Sequence, residues 1–126
     1  MARRLPIVAL ALCAALLMTA CGAQGVKLAD DDPNRAGAVL FAERCSGCHS
    51  LEVAGAQGSA SDVGDRERTD GPSFDTRKEE VADVLYAIRN GGFSGAIMPE
   101  NIATGREAQA IAEFLAEYSG RKAAEG

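Results

Sequence analysis

The chain has 126 residues, with 13 basic side chains against 18 acidic ones and a formal charge of −5. This length allows one domain with a modest core, and this charge excludes a nucleic-acid-binding surface. Four cysteines and a single histidine leave few ways to build a reactive or metal-binding site.

Residues 1–20 read as an export signal. Arg3 and Arg4 form its positive start, and Leu5 to Leu17 is an apolar run shorter than the roughly 20 residues of a membrane span. Cys13 lies in that run and leaves with it. The stretch Leu17-Met18-Thr19-Ala20-Cys21-Gly22 resembles a bacterial lipoprotein box, in which the cysteine is diacylated and becomes the first mature residue. The alternative is ordinary cleavage near Ala20 that leaves Cys21 a free thiol. A Cys directly after a small residue at the end of an apolar run favours lipidation. Processing removes Arg3 and Arg4 and no acid, so the charge moves from −5 to −7. Residues 21–31 are small and polar without periodicity and are expected to form a flexible tether.

Asp32-Pro33 is expected to open the first helix of a domain spanning 32–120, because Asp suits the N-cap and Pro the first helical position. The helix runs to about Arg44, with Gly37, Leu40, Phe41 and Arg44 on one face. Glycine inside a helix is costly, and close approach of a second helix is a good reason for it at Gly37.

Cys45-Ser46-Gly47-Cys48-His49 follows. It is C-x-x-C-H, the pattern for covalent attachment of a c-type haem. Two thiols can add across the vinyl groups as thioethers, and the adjacent imidazole can bind the iron. A thioredoxin-like redox pair or half a zinc site uses similar cysteines. Zinc needs two more ligands, and beyond the N-terminal segment there is no further Cys or His. A thioredoxin-like domain needs alternating strands and helices, which the pattern lacks. One covalent haem c is therefore expected, its thioethers acting as the only covalent cross-link of the fold.

Ser50 to Asp75 reads as a long loop containing Gly55, Gly58, Gly64 and Gly71 and the charges Asp62, Asp65, Arg66, Glu67, Arg68 and Asp70. So long a segment is unusual in a compact domain unless a bound macrocycle supplies a surface to wrap. Thr76-Arg77-Lys78-Glu79 fits a capping box ahead of a helix with the stripe Val81, Val84, Leu85 and Ile88, stopped at Asn90-Gly91-Gly92. This stripe, with Leu85 and Ile88 as haem-pocket residues, would dry the site. Tyr86 falls on the opposite side. Thr104-Gly105-Arg106-Glu107 is a second capping box before Ile111, Phe114, Leu115 and Tyr118, with Gly120 as the stop. Residues 121–126 are expected to be a disordered tail. There is no internal repeat and no substantial strand, so the class is all-α.

Met98 is the sole methionine outside the signal, sits in a loop, and precedes Pro99, which stiffens the backbone. A thioether held there could close the sixth position of a haem iron and raise its reduction potential. The alternative is a methionine that fills a gap in the core.

Taken together, the residues from about Asp32 to Gly120 resemble the monohaem class I cytochromes c. The resemblance is carried by Gly37 to Phe41, Cys45 to His49, Gly71-Pro72-Ser73-Phe74, Ile88-Arg89-Asn90-Gly91 and Met98-Pro99. It implies a small cytochrome c fold of about three main helices wrapped around one haem, with long loops. It implies a crossing of the first and last helices near Gly37, Phe41 against Phe114, the Pro72 carbonyl accepting from His49, and Phe74 packed on the haem. It implies axial ligation by His49 and Met98. The corresponding function is electron transfer, not enzymatic turnover, between redox protein partners at the outer face of a bacterial cytoplasmic membrane or in the periplasm. The acidic domain points to a partner with a basic docking surface. A haem subunit of a larger dehydrogenase or oxidase, or a haem enzyme or sensor with an open sixth position, are the competing functions.

Overall fold

The computed structural model describes residues 25–92 and 97–124. The signal, the lipoprotein box with Cys21, and residues 125–126 lie outside the described residues. Four helices lie among the described residues: α1 (Arg35–Arg44), α2 (Val81–Asn90), α3 (Gly105–Tyr118) and the short α4 (Arg121–Ala124). Helix α3 packs against both α1 and α2, as expected for a small all-α domain.

The α1/α3 crossing is built around one glycine. A Cβ at Gly37 would lie 2.7 Å from the Phe114 Cβ and would clash with the Ala110 carbonyl. Beside this contact Phe41 and Phe114 meet with ring centroids 5.9 Å apart, both fully buried. The glycine's helix-propensity cost is thus offset by the backbone approach that lets two aromatic rings share the core.

Helix α1 starts later than expected. Asp32 does not cap it, and Asn34 occupies the N-cap position without a side-chain bond. The Asp32 carboxylate instead accepts from the Asn34 N–H (2.8 Å) and from the Tyr118 hydroxyl (2.6 Å). A hydrogen bond to the distant end of α3 has won over the local cap.

The expected capping box at 76–79 does not form either. Glu80 is the N-cap of α2. The Glu79 carboxylate turns inward to Arg77, Nε to Oε1 2.6 Å, while its backbone N–H donates to Ser119 Oγ (2.8 Å). At the other box Thr104 does occupy the N-cap of α3, but makes no side-chain cap bond. Glu107 there pairs with Arg44 at 2.7 Å. In the first box a neighbour two residues back, Arg77, holds the glutamate carboxylate; in the second a tertiary ion pair to Arg44 takes it.

The apolar stripes are where the pattern put them. Val84 and Ile88 of α2, and Ile111, Phe114 and Leu115 of α3, are buried. Val81, Leu85 and Tyr118 are half-buried at the core margin, and Tyr86 is 69% exposed.

The segment 50–75 is more ordered than a wrapping loop. Ser50–Leu51 pairs antiparallel with Ala56–Gln57, Ser50 opposite Gln57. A 3₁₀ turn, Glu52–Ala54, joins the two, closed by Gly55 at φ +68°. Leu51, Ala54 and Ala56 are buried in the core. Residues 61–69 are exposed.

The described parts of both presumed tails, 25–31 and 121–124, are docked. From Gly25 onward the expected tether lies on the domain, with the Lys27 N–H donating to the Val53 carbonyl (2.8 Å) and Val26 and Leu28 against the core. At the other end, residues 121–124 are helical. The Arg121 guanidinium lies over the Tyr118 ring at 4.2 Å, and the Lys122 N–H donates to the Asp75 carbonyl (3.0 Å). No helix among the described residues is long and apolar enough to cross a membrane.

Candidate functional site

Helix α1 runs straight into the C-x-x-C-H turn. The Cys45 N–H donates to the Phe41 carbonyl (2.8 Å), and the Cys45 carbonyl accepts from Cys48 N–H (3.1 Å) and His49 N–H (3.0 Å). One turn therefore carries both sulfurs and the imidazole. Ser46 Oγ ties the turn back to the Ala42 carbonyl at 2.5 Å, and Gly47 is open to solvent. Both thiols are free and half-buried. Burial pushes the Cys45 thiol up to about 11, opposed by Arg44 and reinforced by Cys48. Before haem attachment it is therefore a thiol, not a thiolate, at neutral pH.

His49 is oriented by three neighbours. Its Nδ1 donates to the Pro72 carbonyl at 3.0 Å. A carbonyl can only accept, so Nδ1 carries the proton and Nε2 keeps its lone pair. Burial holds the imidazole below its ordinary pKa; the Pro72 bond opposes this, and the Arg77 charge adds to it. The ring is therefore neutral near pH 7. Phe74 stacks on it with centroids 4.7 Å apart and planes 17° from parallel. Gly71 lies beside it, and a Cβ there would sit 2.6 Å from Nδ1 and 2.9 Å from Nε2.

The backbone around the turn is tightly laced. The Cys48 carbonyl accepts from Gly71 N–H (2.6 Å), the His49 carbonyl from Gly58 N–H (3.1 Å), and the Ser50 carbonyl from Phe74 N–H (2.8 Å). Ser50 and Ser59 exchange N–H to Oγ bonds, each 2.9 Å. A Cβ at Gly58 would lie 2.6 Å from Cys48 N. Sequence reading noted Gly58 only as a loop glycine and Gly71 only as part of a motif. Their steric roles depend on partners ten to twelve and twenty-two positions away, which local pattern does not reveal.

Cys45, Cys48, His49, Pro72 and Phe74 are thus brought together. Met98 is half-buried at the end of α2, where its carbonyl accepts from Gly92 N–H (3.4 Å) and would meet a Cβ on Gly91 at 2.6 Å. The Asn101 N–H donates to the Ile88 carbonyl (2.6 Å), clipping the Met98 segment to α2. Ile88 is buried and Leu85 half-buried, and both share one apolar cluster with Cys45, Phe74 and Met98.

The donor chemistry fits a covalent haem. Two free thiols and an imidazole Nε2 lone pair share one turn, and Leu40, Val81, Leu85, Met98 and Ile102 leave apolar surface half-covered at the core margin. It does not fit zinc, because no group of three or more His, Cys, Asp or Glu gathers among the described residues. Nor does it fit a thioredoxin-like domain, since the described sheet is two strands of two residues each.

A small, mostly helical domain with a C-x-x-C-H turn beside α1 is a haem-attachment domain in class. The chain belongs to the cytochrome c family, whose model, described as Cytochrome c, matches residues 35–119. No curated protein and no solved structure matched. The family fixes the cofactor as covalently bound haem c, which supplies a one-electron couple, and the role as haem-based electron transfer. Cys45 and Cys48 fit the attachment motif.

Proposed function

We propose that this chain is a membrane-tethered electron carrier whose iron ligands are His49 and Met98. Cys45 and Cys48 would hold the macrocycle, and Pro72, through Nδ1 of His49, would fix the imidazole and raise its basicity. The observation that carries the ligand assignment is the His49 tautomer: with Nδ1 committed to Pro72 at 3.0 Å, Nε2 is the atom left to bind. Met98 is the sole methionine after the signal, and the glycines and Asn101 around it hold its backbone. Phe74, stacked on His49, would support the imidazole more than cover the haem face. Leu85 and Ile88 would keep the pocket dry.

The carrier would be exported, diacylated on Cys21 and held at the outer face of a bacterial cytoplasmic membrane. Anchoring raises the effective concentration of carrier near membrane partners. Its acidic surface would meet a basic docking surface on those partners. The test is a visible absorption spectrum of oxidised and reduced protein. A low-spin spectrum with the weak near-red sulfur-to-iron charge-transfer band in the oxidised state supports His49/Met98. A high-spin, ligand-accessible spectrum would instead favour a haem enzyme or sensor.

A further inference from the structure

The segment before α1 is bolted to the domain at one place. Gly25 lies against Gly55: a Cβ on Gly25 would come within 2.8 Å of the Gly55 Cα, and one on Gly55 within 2.5 Å of the Gly25 carbonyl carbon. Lys27 follows, its N–H on the Val53 carbonyl at 2.8 Å and its ammonium on Glu52 at 2.6 Å. Arg35 reaches back from α1 to the Leu28 carbonyl (2.5 Å) and to Asp30 (3.0 Å). Asp32 is then held by Tyr118 at 2.6 Å. Residues 25–32 are a strap fixed at both ends, not a spacer.

The strap docks on the tip of the β1–β2 hairpin, the 3₁₀ turn Glu52–Ala54 and Gly55. Three residues along the same hairpin, Gly58 packs on the C-x-x-C-H turn, about 10 Å away at strand rise. Glu52 and Asp75 at the tip end are matched by Lys27 and Lys122, so the tip itself carries no surplus negative charge; the exposed Asp30 and Asp31 lie further along the strap, Asp30 paired with Arg35.

We infer that the hairpin tip, Glu52–Gly55 with the strap across it, is the end of the domain that faces the lipid bilayer. This rests on the proposed acylation of Cys21. From Cys21 to Gly25 the chain can span at most about 14 Å. A strap docked at Gly25 therefore leaves no room for the domain to swing freely, as it would on a tether extending to Asp31. The attachment turn is held near the membrane surface in one orientation, suited to a partner lying in or on the same membrane.

The strap is tested first, in solution, on the haem-loaded Cys21→Ser protein. Amides of residues 25–31 should exchange hydrogen at least ten-fold more slowly than unstructured chain. Gly25→Val should abolish that protection while leaving α1 and α3 protected, since residue 25 lies outside the helical core. Exchange of 25–31 at the unstructured rate in the parent protein overturns the inference whatever happens at Cys21. The facing is tested next, on native protein bound to phosphatidylethanolamine–phosphatidylglycerol vesicles doped with a headgroup-diazirine phospholipid. Cross-links should concentrate on 25–31 and 52–57, several-fold over the exposed face of α2 around Tyr86. An even spread overturns the facing with the anchor intact. Native protein that fails to bind vesicles and has an unmodified Cys21 by intact mass removes the anchor, and the facing with it, but leaves the strap result standing.

Discussion

Gly71 is pressed against the ring of His49, with room for a hydrogen and not for a methyl group: a Cβ would stand 2.6 Å from Nδ1. The same residue donates its N–H to the Cys48 carbonyl at 2.6 Å. Gly71 therefore sets the distance between the C-x-x-C-H turn and the Pro72 carbonyl that holds the imidazole. Gly71→Ala must push the ring, the turn or Pro72 aside, at about 1–3 kcal/mol of stability by analogy with overpacked cores. Thermal unfolding of the holoprotein should show the loss. A stability unchanged within about 0.5 kcal/mol would show that the turn has slack.

The neighbouring ligand assignment has its own test. Met98→Ala should lower the reduction potential, open the iron to carbon monoxide or azide, and remove the near-red charge-transfer band, because a soft thioether favours Fe(II). Retention of the band in the variant would falsify Met98 as the ligand.

How much of this was legible beforehand differs between the helices and the segments that join them. The stripes Val84/Ile88 and Ile111/Phe114/Leu115 repeat every three or four residues, and burial follows that repeat directly. Gly37 could be read because a glycine in an otherwise apolar helix face has few explanations. The His49–Pro72 bond came from family resemblance, not from the local residues. Asp32 and Glu79 stand ahead of the helices they were expected to start, because Asp32 is held by the distant Tyr118 and the Glu79 backbone by the distant Ser119; Glu107 does stand in the first turn of α3, but its carboxylate pairs with Arg44, which the sequence window does not contain. Leu51, Ala54 and Ala56 were lost in a Gly-rich stretch, because two-residue strands carry no periodicity to detect.

The α1/α3 contact gives a stability prediction. Phe114 is fully buried against Phe41 and Gly37. Phe114→Ala should cost about 3–5 kcal/mol from lost burial and the cavity left behind. Gly37→Val should also destabilise, for the opposite reason, by driving α1 off the Ala110 carbonyl. Denaturant midpoints of the two variants measure both. A Gly37→Val protein as stable as the parent would show that the helices do not cross at that point.

Two carboxylates should tilt the pH dependence of stability in opposite senses. Burial raises the pKa of Glu79, 7% exposed, with the Arg77 charge opposing. Its contribution is therefore full below the unfolded carboxylate pKa of about 4.3 and is lost as pH rises through the folded value. Glu79→Gln should gain stability relative to the parent at pH 7, and the gain should shrink as pH falls toward 4. Glu52 is held down to about 2 by the hydrogen bonds and charges of Lys122 and Lys27. Its contribution is present above the unfolded pKa and fades as pH falls toward 2, so Glu52→Gln should lose stability at pH 7 and converge on the parent in acid. Unfolding curves at several pH values read both. Parallel pH profiles for parent and Glu79→Gln would show that the buried carboxylate does not titrate with folding.

Partner choice is the last expectation. The full chain carries a formal −5, and with the proposed signal removed it would lose Arg3 and Arg4 and carry −7. Asp62, Asp65 and Glu67 stand in the exposed stretch 61–69, followed by the half-buried Asp70. Arg66 and Arg68 dilute that charge locally, and Asp62 spends its carboxylate on the Gly64 N–H at 2.9 Å. The whole-domain charge is therefore the firmer source of steering. Such fields accelerate encounter and are screened beyond about 8 Å at physiological salt. Bimolecular electron-transfer rates with a partner bearing a basic surface should fall as ionic strength rises. Neutral amides at Asp62, Asp65, Glu67 and Asp70 should flatten that dependence to the extent that the loop takes part. A rate independent of salt with the native partner would mean that apolar contact around the haem site, and not charge, directs docking.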